Sequence, residues 1–402
     1  MLISRRPLQL LALPLIALTA MACGKKDSSF SILATGDQYQ QVSGTANKVD
    51  ILWVVDPSGT MANHQDNLAK NFESFISGFI QKKFDYHMAV ASVDGWMRED
   101  GYRHGGCVAD PNPTGNPATR FVTSADCKTT LATYADLSSF RDGDIYGKID
   151  GTPGVRSGNF LLTGLMSATE ATTLFSQNVK VGVRGDGTRE SAFQSLRAVL
   201  RRNADGSIGY GGETHTALSQ FRRDDAFLAV IIVSDEEDQG VKPDGTPYSS
   251  KEEYAQEFVR FMDGYTNAVD GVRKYNVSSI TIDDINNCGY GLHAQATQGD
   301  RYVAIANAAN GVVGSICSAD FSSKLSDIAN QIVTLSTRFE LTREPKIETI
   351  SVVVNGKEVA KDAANGWQYV VENGHRFIEF RGASTPESGA SISIQYDPTE
   401  FL

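Results

Sequence analysis

Two stretches constrain the fold most. "DILWVV" (50–55) is apolar from Ile51 onward and "LAVIIV" (228–233) throughout, and each ends in acid: Asp56 directly, and Asp235 after Ser234. A strand with one wet face alternates apolar and polar residues, whereas an unbroken run suits a parallel strand covered on both faces. After the first run, Leu68, Phe72, Phe75, Ile76, Phe79 and Ile80 recur at three- and four-residue spacing, which predicts a helix. "YHMAVASVD" follows as a strand, so the chain opens with a βαβ unit. Further helices are predicted near 168–180, after "RGDGTRE" with Ala192, Phe193, Leu196, Val199 and Leu200 on one face, and near 251–264, 301–309 and 322–337, with further strands at "VSSITI" and "GVVGSI". Residues 48–340 therefore read as an α/β domain with a doubly wound, mostly parallel sheet.

Two regions depart from that rhythm. Residues 95–160 include "RHGGCVADPNPTGNPATRF" and read as a long insertion suited to recognition rather than core packing. From 345 to 402 the pattern turns β-rich, with Asn-Gly pairs inside "KIETISVVVNGKEV" and "GWQYVVENGHRFIEF". Asn-Gly favours the type I′ hairpin turn, because both central residues need positive φ. This segment is expected to form a small all-β sandwich docked on the main domain, since so small a core is marginal alone.

The N-terminus, "MLISRRPLQLLALPLIALTAMACG", has two arginines, a short apolar middle and small residues before Cys23. The apolar run is short of the roughly 20 residues that span a bilayer, so residues 1–22 read as a signal peptide. Ala20, Ala22 and Cys23 resemble a lipobox, which implies lipid on the Cys23 sulfur, a polar tether over 23–47, and membrane attachment through that lipid. Gly24, Lys25 and Lys26, with no Asp beside the lipidated residue, resemble outer-membrane sorting in a Gram-negative bacterium. Ordinary secretion with an incidental Cys23 is the alternative. Losing residues 1–22 leaves 35 basic and 48 acidic residues, a net charge near −13, which argues against nucleic acid as a partner. An even number of later cysteines in an exported chain suggests disulfides, and proximity pairs Cys107 with Cys127 and Cys288 with Cys317. A zinc site is the alternative, though no pair has close ligand spacing.

Ligands of open α/β sheets collect at the carboxyl ends of strands. There the chain offers Asp56, Ser58 and Thr60 in "DPSGT", Asp235 in "VIIVSDEED", and Thr188 in the turn "RGDGTRE". Oxygen donors from three loops suit a hard divalent cation, with Mg²⁺ expected and Ca²⁺ or Mn²⁺ as alternatives. Two carboxylates and neutral hydroxyls would leave the cation net positive. This constellation resembles the von Willebrand factor type A (vWA) domain and its metal-ion-dependent adhesion site, which carries Asp-x-Ser-x-Ser after the first strand, a later Thr, and an Asp after the fourth strand. The resemblance covers roughly residues 48–340 and implies a vWA/Rossmann-like fold. Thr stands at 60 where the family has Ser, and Thr214 or Thr216 in "GGETHTAL" rivals Thr188.

The plainer reading is that Asp56, Ser58 or Thr60 caps the helix that follows. Glu236, Glu237 and Asp238 read as a solvated acidic loop. Paired glycosidase-type carboxylates lack a second cluster opposite. The six histidines show no His-Glu-x-x-His spacing, and no Gly-x-Ser-x-Gly elbow surrounds Ser58. "RGDG" at 184–187 contains Arg-Gly-Asp, a tripeptide too short to carry a role, and reads as structural. The resemblance therefore implies a non-enzymatic, metal-dependent binding or adhesion lipoprotein of the cell envelope, whose protein ligand offers a carboxylate to the metal. A metal-independent structural or assembly module is the alternative.

Overall fold

The computed structural model describes residues 37–41, 48–93, 160–182, 190–200, 221–242, 246–268, 272–289 and 296–399. The central sheet contains β2 (Lys48–Val55), β3 (Asp85–Ser92), β4 (Leu162–Thr163), β5 (Phe227–Val233), β6 (Tyr275–Thr281) and β7 (Val313–Ser315), in the order β4-β3-β2-β5-β6-β7. Counted from β2, this is the 3-2-1-4-5-6 order of doubly wound folds. Every pairing is parallel except β3 with the short edge strand β4. The fold is α/β, with a mostly parallel sheet and smaller antiparallel sheets in the C-terminal region.

Burial accounts for the missing alternation. In β2, Val49, Ile51, Trp53 and Val55 join one core layer, while Leu52 and Val54 join the layer on the opposite face. In β5, Phe227, Ala229, Ile231 and Val233 divide from Leu228, Val230 and Ile232 in the same way. Each strand thus feeds two cores, so apolar residues fill both register positions through most of its length.

Helix α1 (Ala62–Gln81) buries Leu68, Phe72, Phe75, Ile76 and Phe79, as its spacing predicts. It packs beside α2 (Ala168–Asn178), with Phe72 stacked on Phe175 at 3.7 Å and Trp53 edge-on to Phe75 and Phe175 at 5.1 Å each. On the other face lie α3 (Ala192–Val199), α4 (Lys251–Tyr265) and α5 (Asp300–Ala308), whose Phe193, Phe258 and Ile305 share the second core. α6 (Ser322–Ser336) returns to the first face and buries Leu325, Ile328 and Ile332. Among the described residues no helix is long and apolar enough to cross a membrane.

The C-terminal region forms two small sheets. One contains β11 (Trp367–Glu372), β12 (His375–Phe380) and β8 (Phe339–Glu340) in the order β11-β12-β8. The other contains β1 (Asp37–Gln41), β13 (Ile392–Tyr396), β9 (Ser351–Val354) and β10 (Lys357–Val359) in the order β1-β13-β9-β10. Both Asn-Gly pairs turn hairpins as expected: φ is 50° and 76° at Asn355 and Gly356, and 51° and 85° at Asn373 and Gly374. Two pairings are invisible to local pattern. Asp37–Gln41 lies within the segment that reads as a tether, yet pairs antiparallel with β13. Phe339–Glu340, at the end of the α/β stretch, pairs with β12.

Candidate functional site

The carboxyl ends of β2 and β5 are neighbours in the sheet, and Asp56 N donates to Val233 O at 2.9 Å. Asp56 and Asp235, far apart in sequence, are thereby brought together, both buried. The chain leaves β2 through Pro57 and Ser58 into a 3-10 turn (Gly59–Met61) that leads into α1. The Ser58 and Thr60 hydroxyls lie 2.9 Å apart, and Thr60 Oγ1 donates to Asp235 Oδ1 at 3.3 Å. Asp56 Oδ1 accepts from Ser58 N at 2.6 Å, and Asp56 Oδ2 accepts from Ser234 Oγ at 2.8 Å.

These contacts weigh against the capping role for the hydroxyls. Neither the 3-10 turn nor α1 receives a side-chain cap bond at its N-terminus, and Ser58 at the N-cap makes none. The first-turn hydroxyls point at each other and at Asp235 instead. Asp56 does secure the turn, through its bond from Ser58 N.

Two partners of the cluster carry no signal in sequence spacing. Ser234, read only as part of a strand end, donates to Asp56 and also lies 3.2 Å from Glu190 Oε2. Glu190 itself is fully buried, and its backbone carbonyl accepts from Gln239 N at 2.7 Å. Burial, with Asp56 and Asp235 close by, pushes the Glu190 carboxyl far above the usual carboxylate range. Burial also raises Asp56, opposed by its hydrogen bonds and assisted by the Asp235 charge. Glu190 thus stands as a neutral acid beside Asp56. Its position two residues after Thr188 is the one available clue, because that turn reads as a third ligand loop. Gln65, one turn into α1, braces the site by donating to Asp56 O and Gly182 O, both at 2.9 Å. His64 Nε2 lies 4.0 Å from Asp235 Oδ2.

Glu190 gives a pH test in the metal-free protein. Its folded-state pKa lies above its ordinary value of 4.5, so its share of stability is complete below that pH and falls as pH rises through neutrality. The slope approaches about 1.4 kcal/mol per pH unit. Glu190→Gln removes the slope and keeps a donor toward Asp56. Denaturant melts in chelator should find the variant equal to wild type near pH 4.5 and more stable at pH 8, by up to about 5 kcal/mol. Parallel pH profiles for the two proteins would refute this account.

The acidic loop corrects its sequence reading. Glu237 and Asp238 are not a solvated pair. Asp238 is buried, and its Oδ1 accepts from Gly240 N at 2.7 Å. A Cβ at Gly240 would come within 2.5 Å of Ser191 Oγ and 2.7 Å of Asp238 Oδ1, so this close approach requires glycine. Glu237 accepts from Arg301 N at 3.1 Å and caps α5 from outside the helix, where the helix dipole favours an anion. Burial lifts the Glu237 carboxyl to about 7. Arg301 holds the loop by donating to Asp238 O and Gly240 O at 2.9 and 2.8 Å, with its guanidinium over the Tyr254 ring. The loop after β5 is therefore built to keep its shape.

The remaining sequence candidates divide. Cys288 and Cys317 form the expected disulfide, joining the segments after β6 and β7. Thr188, its rivals Thr214 and Thr216, Cys23, and the Cys107–Cys127 pair lie outside the described residues.

The donor set can be tested against a hard cation. Octahedral ligands at 2.0–2.1 Å sit about 2.9 Å from their neighbours. The Ser58–Thr60 separation of 2.9 Å matches such an edge, and the Thr60–Asp235 separation of 3.3 Å exceeds it slightly. Among the described residues no group of three or more His, Cys, Asp or Glu is placed to hold a metal. A cation here would depend on the two hydroxyls, which suits Mg²⁺ better than zinc. The residues present fit that ion.

No protein-family model matches the chain, and no curated protein does. Solved structures with a similar chain path include the pilus adhesin SpaC from Lactobacillus rhamnosus GG in its open conformation, at 10% identity and a TM-score of 0.37, covering 88% of this chain and 39% of that one. The pilus adhesin RrgA from Streptococcus pneumoniae gives 8% identity and a TM-score of 0.31, covering 89% and 57%. The ArnB paralog VWA2 from Sulfolobus acidocaldarius gives 8% and 0.29, covering 91% and 60%. This chain spans less than two thirds of the length of each. Likenesses of this size carry no argument about activity. The fold rests on the strand order.

Proposed function

We propose that this chain is a vWA-like, non-enzymatic binding protein of the cell envelope that holds a divalent cation at the carboxyl ends of β2 and β5. Asp56, Ser58, Thr60 and Asp235 would hold the ion, with Thr188 as a further donor. Bound there, the ion supplies positive charge that an acidic group of a protein partner can complete. What supports this reading above all is that the two first-turn hydroxyls converge with Asp235 instead of capping the helix they precede. Glu190 agrees with it: burial and the neighbouring Asp56 favour its neutral form, so it adds no negative charge to the site. Lipid on Cys23 and an outer-membrane address belong to the same proposal and rest on residues 1–26.

A second reading has an observation of its own. Both Asp56 oxygens already accept hydrogen bonds, and the Ser58–Thr60–Asp235 chain closes without an ion. A metal-independent assembly module would look like this. Calorimetric titration with Mg²⁺, Mn²⁺ and Ca²⁺, with acetate supplied as a carboxylate ligand, separates the two. Saturable binding of one ion per chain is expected. No heat with any of the three, with and without acetate, leaves the assembly module standing.

A further inference from the structure

The candidate site and the point where the chain enters its folded unit lie at opposite ends of α1. The N-terminus of α1 follows the Ser58–Thr60 turn directly, so it marks the site end. Its C-terminus meets the C-terminal β region: Lys82 Nζ donates to Gly382 O and Ala383 O at 3.1 and 3.2 Å, Ser388 N donates to Lys82 O at 3.3 Å, and Lys83 pairs with Glu387 at 2.8 Å. Two further contacts fall at the same end. Arg338, just past the C-terminus of α6, pairs with Glu372 at 2.6 Å, and Asn310, just past the C-terminus of α5, also bonds Glu372. Helices after parallel strands run back toward the amino ends of those strands, so all these contacts belong to the pole away from Asp56 and Asp235.

β1 is bound to that same region. Asp37–Gln41 pairs residue by residue with Tyr396–Ile392 of β13, so the chain enters the folded unit at the base and not beside the site. Twenty helical residues in α1 separate the two ends by about 30 Å.

We infer that β1 makes the C-terminal β region the attachment base, so that a surface holding the N-terminus carries the Asp56–Asp235 pole on its far side and the partner approaches from there. This rests on the proposed site only for the partner's identity, because the polarity follows from β1, β13 and α1.

Energy transfer to a membrane tests it. The chain from residue 24 onward, with an N-terminal histidine tag, is bound to vesicles containing nickel-chelating lipid and an acceptor-labelled lipid. A donor fluorophore is placed at position 63, exposed in the first turn of α1, or at position 357, exposed in β10. Transfer from position 63 should be at least about twofold weaker than from 357, given the roughly 30 Å length of α1. Equal transfer, or stronger transfer from 63, overturns the inference. Deleting residues 37–41 should shrink the difference, and an unchanged difference would remove β1 as its cause. Metal does not enter the readout, so failed ion binding would sink the proposed function and leave this result intact.

Discussion

Asp56→Asn should abolish divalent-cation binding while leaving the fold in place. Asn keeps an oxygen that can accept from Ser58 N, and its amide can face Ser234 Oγ, which is also an acceptor. The two hydrogen bonds that secure the turn, at 2.6 and 2.8 Å, can therefore persist in the variant. What disappears is a negative charge beside Asp235 and Glu190, a charge that burial and the Asp235 carboxylate already disfavour. Thermal melts in chelator should place the variant at or above wild type. Affinity for Mg²⁺ should fall by more than about 100-fold, beyond the 10–100-fold loss typical of outer-shell partners. Asp56→Ala should bind no better and be less stable, because Ser58 N and Ser234 Oγ lose their acceptor at about 1–3 kcal/mol each. Ser58→Ala should weaken the ion less, since water can replace a neutral ligand, and should leave stability nearly unchanged because the hydroxyl caps nothing. A loss of 0.5–2 kcal/mol in Ser58→Ala, the range for a lost N-cap, with unaltered ion affinity would restore the capping role.

Asp50→Ala should be the most damaging single change away from the site. Asp50 is fully buried near the amino end of β2, where an apolar strand should have no acid. It accepts from Arg222 Nη1 at 2.8 Å, Arg223 Nε at 2.9 Å and Arg223 N at 2.6 Å. Arg222 is itself almost fully buried, with a further bond to Ala226 O at 3.1 Å. Breaking a buried pair by removing one partner costs about 3–5 kcal/mol, because the other charge stays behind without compensation. Arg223→Ala should cost less, since Arg223 is more exposed and Arg222 still meets Asp50. Urea unfolding followed by circular dichroism reads both variants. Ion binding should survive in whatever fraction remains folded, because Asp50 and Asp56 lie about 20 Å apart along one strand. A loss under about 1 kcal/mol would mean the arginines find other partners.

Much of this molecule was legible as a string because its signals are local. Long apolar runs named β2 and β5, since a strand between two cores turns apolar residues to both sides. The three- and four-residue spacing of Leu68, Phe72, Phe75 and Phe79 named α1, and two Asn-Gly pairs placed the C-terminal hairpins. Asp56, Ser58, Thr60 and Asp235 could be nominated because residues at parallel-strand ends must meet at one edge of the sheet. Only the tertiary structure decided what depends on partners distant in sequence. Glu190 and Ser234 have ordinary surroundings in the sequence, and the shifted acidity of Glu190 exists only once the sheet brings Asp56 beside it and excludes water. Glu237 and Asp238 look solvated in a run of acids, yet α5 and Arg301, some 60 residues later, bury one and turn the other into a helix cap. β1 and β8 are too short and too polar or too isolated to announce themselves, and each becomes a strand only because β13 or β12 offers an open edge. Periodicity records which face a residue turns inward, whereas the identity of what it meets there is set by chain crossings that no local window contains.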